Sequence, residues 1–153
     1  MYRTFLGTIF LVFIGLAVSS CEGNDNFDQI RTKIHPIVLK HLKDSSNITL
    51  KNSPNLNNSI SYHQIELSNK EKRILQTEFD KGTVIDIWAG KSLGIVYKTD
   101  RESTVKRHQL KVRGFFFCSG DPNGSLFYRR HRYDGTFTPV RENWYSFEYT
   151  GKD

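Results

Sequence analysis

Between residues 27 and 43 apolar side chains recur every fourth position, at Ile30, Ile34, Val38 and Leu42, while Lys33, Lys40 and Lys43 fall off that stripe. This spacing predicts an amphipathic helix, with Asp25 or Asn26 placed to cap it. Pro36 lies inside it and has no N–H for the helical ladder, so a kink or a split is predicted there. Residues 44–59 are dominated by Asn, Ser and Pro, which favour turns, and predict a loop. A short strand is predicted near 60–67. A second helix is predicted from Asn69 to Lys81, with Ser68 and Glu71 as a capping box, Gly82 as its stop, and Ile74, Leu75 and Phe79 on its buried face.

From Thr83 onward the period shortens. β-Branched and aromatic runs alternate with turn signals at Ala89-Gly90-Lys91, Thr99-Asp100-Arg101, Ser119 through Gly124 and Asp134-Gly135. Strands are predicted at 83–88, 92–99, 104–118, 125–133 and 143–150, forming an antiparallel meander. One or two N-terminal helices packed on about five C-terminal strands make an α+β domain over residues 27–153. The order of elements is similar to that of cystatin-like or NTF2-like domains; no motif carries that likeness, so it implies nothing about function.

The chain has 153 residues, 37% of them hydrophobic, 13% aromatic and 25% charged. That length suits one domain with one core, and the ring content suits a packed sheet.

Residues 1–20 do not belong to the domain pattern. One Arg precedes an apolar run from Phe5 to Val18, followed by Ser19 and Ser20, the order of an export signal. The run is about 14 residues, shorter than the roughly 20 that a membrane-spanning helix requires. Val18-Ser19-Ser20-Cys21 resembles the lipobox of bacterial lipoproteins. The resemblance covers residues 1–21 only and departs from the usual pattern in having Val first and a single basic residue upstream. It implies cleavage before Cys21, acylation of that Cys with chains such as palmitate, and a lipid anchor to the cell envelope, at the outer rather than the inner membrane. Glu22 to Asn26 would then be a tether. The alternative is a secreted protein with Cys21 bridged to Cys118, the only other Cys; Asn47-Ile48-Thr49 and Asn57-Asn58-Ser59 would then be glycosylation acceptors.

Charge separates the two halves of the chain. Residues 101–141 hold nine Lys or Arg against three acids, a surplus equal to the net +6 of the whole chain. An anionic partner is therefore expected, and export argues against nucleic acid. If Ser119 to Gly124 turns a hairpin, Phe117 faces Leu126 and the strands pair in a fixed register. One face then carries Leu110, Val112, Phe116 and Cys118. The other sets Phe115 opposite Tyr128, Arg113 opposite Arg130 and Lys111 opposite Arg132. Like charges directly opposite are unfavourable, and a bound carboxylate or phosphate would relieve them. Lys111, Arg113, Phe115, Tyr128, Arg130 and Arg132 are thus the candidate partner-binding residues. Acids on adjacent strands, with Asp86, Glu142 and Glu148 available, would equally make this face an ordinary solvated one.

Catalytic patterns are sparse. Cys118 with His108 or His131 as base would need hydrogen-bond reach, which the hairpin register does not give. Cys118 reads instead as a small core residue. The five His show no metal-ligand spacing. Asp86 lies between Ile85 and Ile87 and shares a strand face with Val84 and Trp88; it is either an acid or base, or a polar residue that points to solvent or pairs with an Arg. No cofactor is implied. The expected activity is non-enzymatic: a membrane-anchored binding protein, of inhibitor, immunity or assembly type, recognising an acidic protein or anionic glycan. The alternative is an envelope enzyme acting on an anionic polymer, with Arg113, Arg130 and Asp86 near the chemistry.

Overall fold

The computed structural model describes residues 21–51, 65–104 and 109–152. The export signal, the lipobox, Asn57-Asn58-Ser59, Lys106, Arg107 and His108 lie outside these residues, as does the side chain of Cys21. Among the described residues the architecture is α+β: a six-stranded antiparallel sheet with an N-terminal helical rod on one face.

The rod runs through α1 (Cys21–Gln29), a π-helical turn (Ile30–Ile34) and α2 (His35–Leu42). It begins at Cys21 rather than near residue 27. Pro36 explains the π turn. With no N–H at position 36, the ladder widens, and the His35 N–H donates to the carbonyl of Ile30, five residues back. The helix is shifted in phase rather than split. Its stripe is buried at Ile30, Ile34 and Val38, joined by Phe27 and Ile37, and His35 also turns inward.

Part of the predicted loop is a strand. β1 (Asn47–Lys51) alternates exposed and buried positions, sending Ile48 and Leu50 into the core. Its period of two is short and set among turn-forming residues, so pairing with a neighbouring strand decides it. Ile65 to Leu67, the described part of the strand predicted at 60–67, is irregular. The second helix, α3 (Asn69–Asp80), follows its sequence signals. Ser68 accepts a hydrogen bond from the Glu71 N–H while the Glu71 carboxylate accepts one from the Ser68 N–H, and Gly82 takes the left-handed conformation beyond the end.

β2 (Asp86–Gly90), β3 (Gly94–Thr104) and β4 (Gln109–Phe117) form a meander. The predicted hairpin partner at 125–133 is not a strand. It is helix α4 (Leu126–His131), entered through a 3₁₀ turn at Pro122–Gly124. Buried Ser125 decides this local geometry: its hydroxyl accepts from the Tyr128 N–H as the N-cap and donates to the carbonyl of Leu93. Residues 135–141 instead form β5 (Gly135–Arg141), which pairs at the edge with β6 (Trp144–Lys152). β6 lies next to β4, giving the strand order β1-β2-β3-β4-β6-β5. Phe117 therefore faces Ile95 and Trp144, not Leu126, and the like-charge pairs Arg113–Arg130 and Lys111–Arg132 do not exist.

Each face of the sheet has its own core. Ile48, Leu50, Ile87, Ile95 and Tyr97 meet the rod and α3, where Leu75 and Phe79 are buried. On the opposite face Val96, Val112, Phe116, Phe147 and Tyr149 meet Phe127 of α4, and Leu110 and Cys118 pack against them. The predicted apolar face of β4 is thus present, although its partner is a helix. The consecutive burial of Ile95, Val96 and Tyr97 reflects a central strand covered on both sides.

Candidate functional site

The six candidate binding residues divide between two surfaces. Lys111, Arg113 and Phe115 lie on the rod side of β4, and Tyr128, Arg130 and Arg132 lie on or just after α4, on the other side of the sheet.

On the rod side the charges are closed among themselves. Arg113 Nε donates to Glu148 Oε2 at 2.8 Å, its terminal nitrogens reach Asp100 and Glu102, and Lys111 Nζ lies 2.9 Å from Glu148 Oε1. Lys111 and Arg113 hold the Glu148 carboxyl below its ordinary range, and Glu148 and Asp100 raise the Arg113 guanidinium. Cross-strand geometry produces the network: Glu148 stands directly opposite Arg113 on β6, and Glu102 opposite Lys111 on β3. Phe115 is packed on Phe27 of the rod, ring centres 5.1 Å apart. This half of the predicted patch is a satisfied ion network above a packed ring. Of the acids available from the sequence, Glu148 supplies the offset; Asp86 pairs with Arg101 at 3.3 Å on the opposite face.

The α4 side differs. Tyr128 is half-buried against Phe137 at 4.8 Å, but Arg129, Arg130 and Arg132 are exposed and, among the described residues, pair with no carboxylate. Tyr133 is 85% exposed, with the Arg132 guanidinium stacked 4.5 Å from its ring centre. Arg129 and Tyr133 extend the predicted set. The sequence signal was the run Arg129-Arg130-His131-Arg132-Tyr133 itself, which a strand reading would send alternately to two faces. As the end of a short helix and the turn after it, its three arginines are instead all exposed, close in sequence to the negative end of the helix dipole.

Below this surface lies a polar group that sequence reasoning did not find. Lys98 is 3% exposed, stands directly opposite Asp86, and sets its ammonium 3.4 Å from the Trp88 ring centre. Burial lowers its pKa to about 8, against the opposing pull of Asp86. His131 stacks on Tyr149 at 4.0 Å, with Nδ1 buried 3.6 Å from Asp134; burial lowers its pKa. No periodicity marks Lys98, since it merely continues an apolar strand.

The catalytic constellations do not assemble. Asp86 and Arg113 are on opposite faces of the sheet, so the set Arg113, Arg130 and Asp86 has no common site. Cys118 is a free, half-buried thiol whose pKa is pushed up by burial and by Asp121, the wrong direction for a thiolate nucleophile. Among the described residues no group of three or more His, Cys, Asp or Glu side chains could hold a metal ion, and no helix is long and apolar enough to cross a membrane. Compared with protein-family models, with curated proteins and with solved structures, the chain matches none.

Proposed function

We propose that this is a non-enzymatic binding protein, tethered to a bacterial envelope by lipid on Cys21, that recognises an acidic protein face through Arg129, Arg130, Arg132 and Tyr133. One observation carries the reading: these three guanidiniums are exposed without carboxylate partners among the described residues, whereas Arg113 and Lys111 are fully engaged. Arg and Tyr are the residue types that dominate binding energy at protein interfaces. A cationic surface also steers acidic partners and excludes basic ones. The lipid tether rests on the Val18-Ser19-Ser20-Cys21 resemblance.

The test uses poly-glutamate as a defined acidic probe at low and at physiological salt. The expected result is salt-sensitive binding that falls roughly tenfold or more in an Arg129→Glu, Arg130→Glu, Arg132→Glu variant of unchanged thermal stability. The control Lys111→Gln should bind as the wild type does. Equal binding by wild type and triple variant refutes the site. Intact mass of the membrane fraction tests the tether independently: acyl mass on a chain starting at Cys21, lost in Cys21→Ala, is expected.

A further inference from the structure

The helical rod and the sheet part at one end. There an apolar cleft of about 580 Å³ opens between the end of α2 and the β2–β3 turn. Pro36, Leu39 and Leu42 form one wall, Ile95 and Phe117 the other, and Leu39 is 37% exposed at the mouth. The volume falls within the roughly 300–1,000 Å³ of small-molecule sites, which also share this makeup of apolar walls with a few polar groups. The polar side chains here are Lys40, Lys43, Lys91 and Ser119, and no carboxylate lines the cleft. Lys40 is held by Glu71 at 2.8 Å, whereas Lys43 and Lys91 have no carboxylate partner among the described residues. A second, more polar cleft of about 700 Å³ shares Lys40 and Lys91 with the first, whereas Lys43 lines only the first; Asp44 and Glu66 belong to that second cleft.

We infer that this cleft binds a single-chain lipid anion, a long-chain fatty acid, with its tail between α2 and the β2–β3 turn and its carboxylate at Lys43 and Lys91. An apolar cleft lined by lysines is complementary to an amphiphile with one negative end, and the unpaired Lys43 and Lys91 favour a carboxylate over a neutral head. An acyl chain on Cys21 would have to run the length of the rod to reach this cleft. Leu39 lies 18 residues along the rod from Cys21, about 27 Å at 1.5 Å per residue. The site is separate from the Arg129–Tyr133 surface and does not depend on it.

The full-length chain, left in the cell fraction it occupies, is irradiated with hexadecanoate bearing a tail diazirine and the adducts are mapped by mass spectrometry. Adducts on residues 36–43, 90–95 or 117–119 are expected, displaced by dodecanoate much better than by dodecanol, with affinity rising roughly two- to fourfold per added methylene until the cleft is filled. Leu39→Glu, at an exposed position, should abolish labelling. Lys43→Glu with Lys91→Glu should weaken displacement by dodecanoate roughly tenfold and leave that by dodecanol unchanged; thermal melts confirm that each variant is folded. Labelling elsewhere, labelling indifferent to Leu39→Glu, or equal displacement by acid and alcohol overturns the inference. So do crosslinks joining two copies through these residues, which would make the cleft a protein interface.

Discussion

Acidification from pH 6.5 to 4.5 should destabilise the fold by about 2 kcal/mol through His35 alone. The imidazole is 8% exposed, lies 4.5 Å from the Phe117 ring and 4.7 Å from the Trp144 ring, and meets the Tyr97 hydroxyl at 2.7 Å from Nδ1. Burial lowers its pKa from 6.5 to about 4. The sign follows directly: between these values the unfolded chain binds a proton that the folded chain refuses, so stability is complete above the unfolded value and falls with pH. Integrating that difference over the two units from 6.5 to 4.5 gives the about 2 kcal/mol. His131 adds in the same direction, because its pKa is also lowered. Glu71, held down to about 2 chiefly by its hydrogen bond from Lys40, contributes below that window, as the unfolded carboxylate protonates near 4.5. Urea melts followed by tryptophan fluorescence at a series of pH values measure the slope, and Trp144 reports from beside the ring. His35→Leu should flatten most of the slope whatever its effect on stability at neutral pH, and His131→Gln should remove a smaller part. An unchanged slope in His35→Leu would refute the account of a buried neutral imidazole.

Lys98 makes the opposite end of the pH range informative. With a folded pKa of about 8 against 10.5 unfolded, raising the pH from 8 to 9.5 should stabilise the fold by about 1.5 kcal/mol, and Lys98→Met should abolish that rise in the same urea assay. Gly114→Ala should cost about 3 kcal/mol or more, because a Cβ there would lie 1.9 Å from the Tyr97 carbonyl oxygen, next to the irregularity between Lys98 and Asp100; a thermal melt decides it. Ser68→Ala removes one side of the capping box and should cost about 1 kcal/mol, with Ser68→Asp restoring most of it.

The elements that were legible in the sequence are those settled within a few residues. α3 depended on Ser68, Glu71 and Gly82, all in contact with its own backbone, and it formed where those signals lie. The stripe Ile30, Ile34 and Val38 fixed the buried side of the rod, and Pro36 marked the point where its ladder departs from the regular pattern. The α+β class followed from the change of period at Thr83. The exposed arginines at 130 and 132 were legible as cations, and so was their need for nearby acids or an anionic partner.

Tertiary structure decided what no local window contains. Residues 126–131 open with the aromatic run of a strand, yet Ser125 bonded to Leu93 and Phe127 seated against Phe116 make them a helix. That single change removed the predicted hairpin, brought β6 beside β4, and set Glu148 opposite Arg113. Whether a cation was neutralised or free therefore depended on strand order. Lys111 and Arg113 gained carboxylates from strands more than ten residues away in sequence, while Arg129, Arg130 and Arg132 gained none among the described residues. Sequence determines which side chains carry charge and which must leave water; the pairing of distant strands determines which of those charges remain available to another molecule.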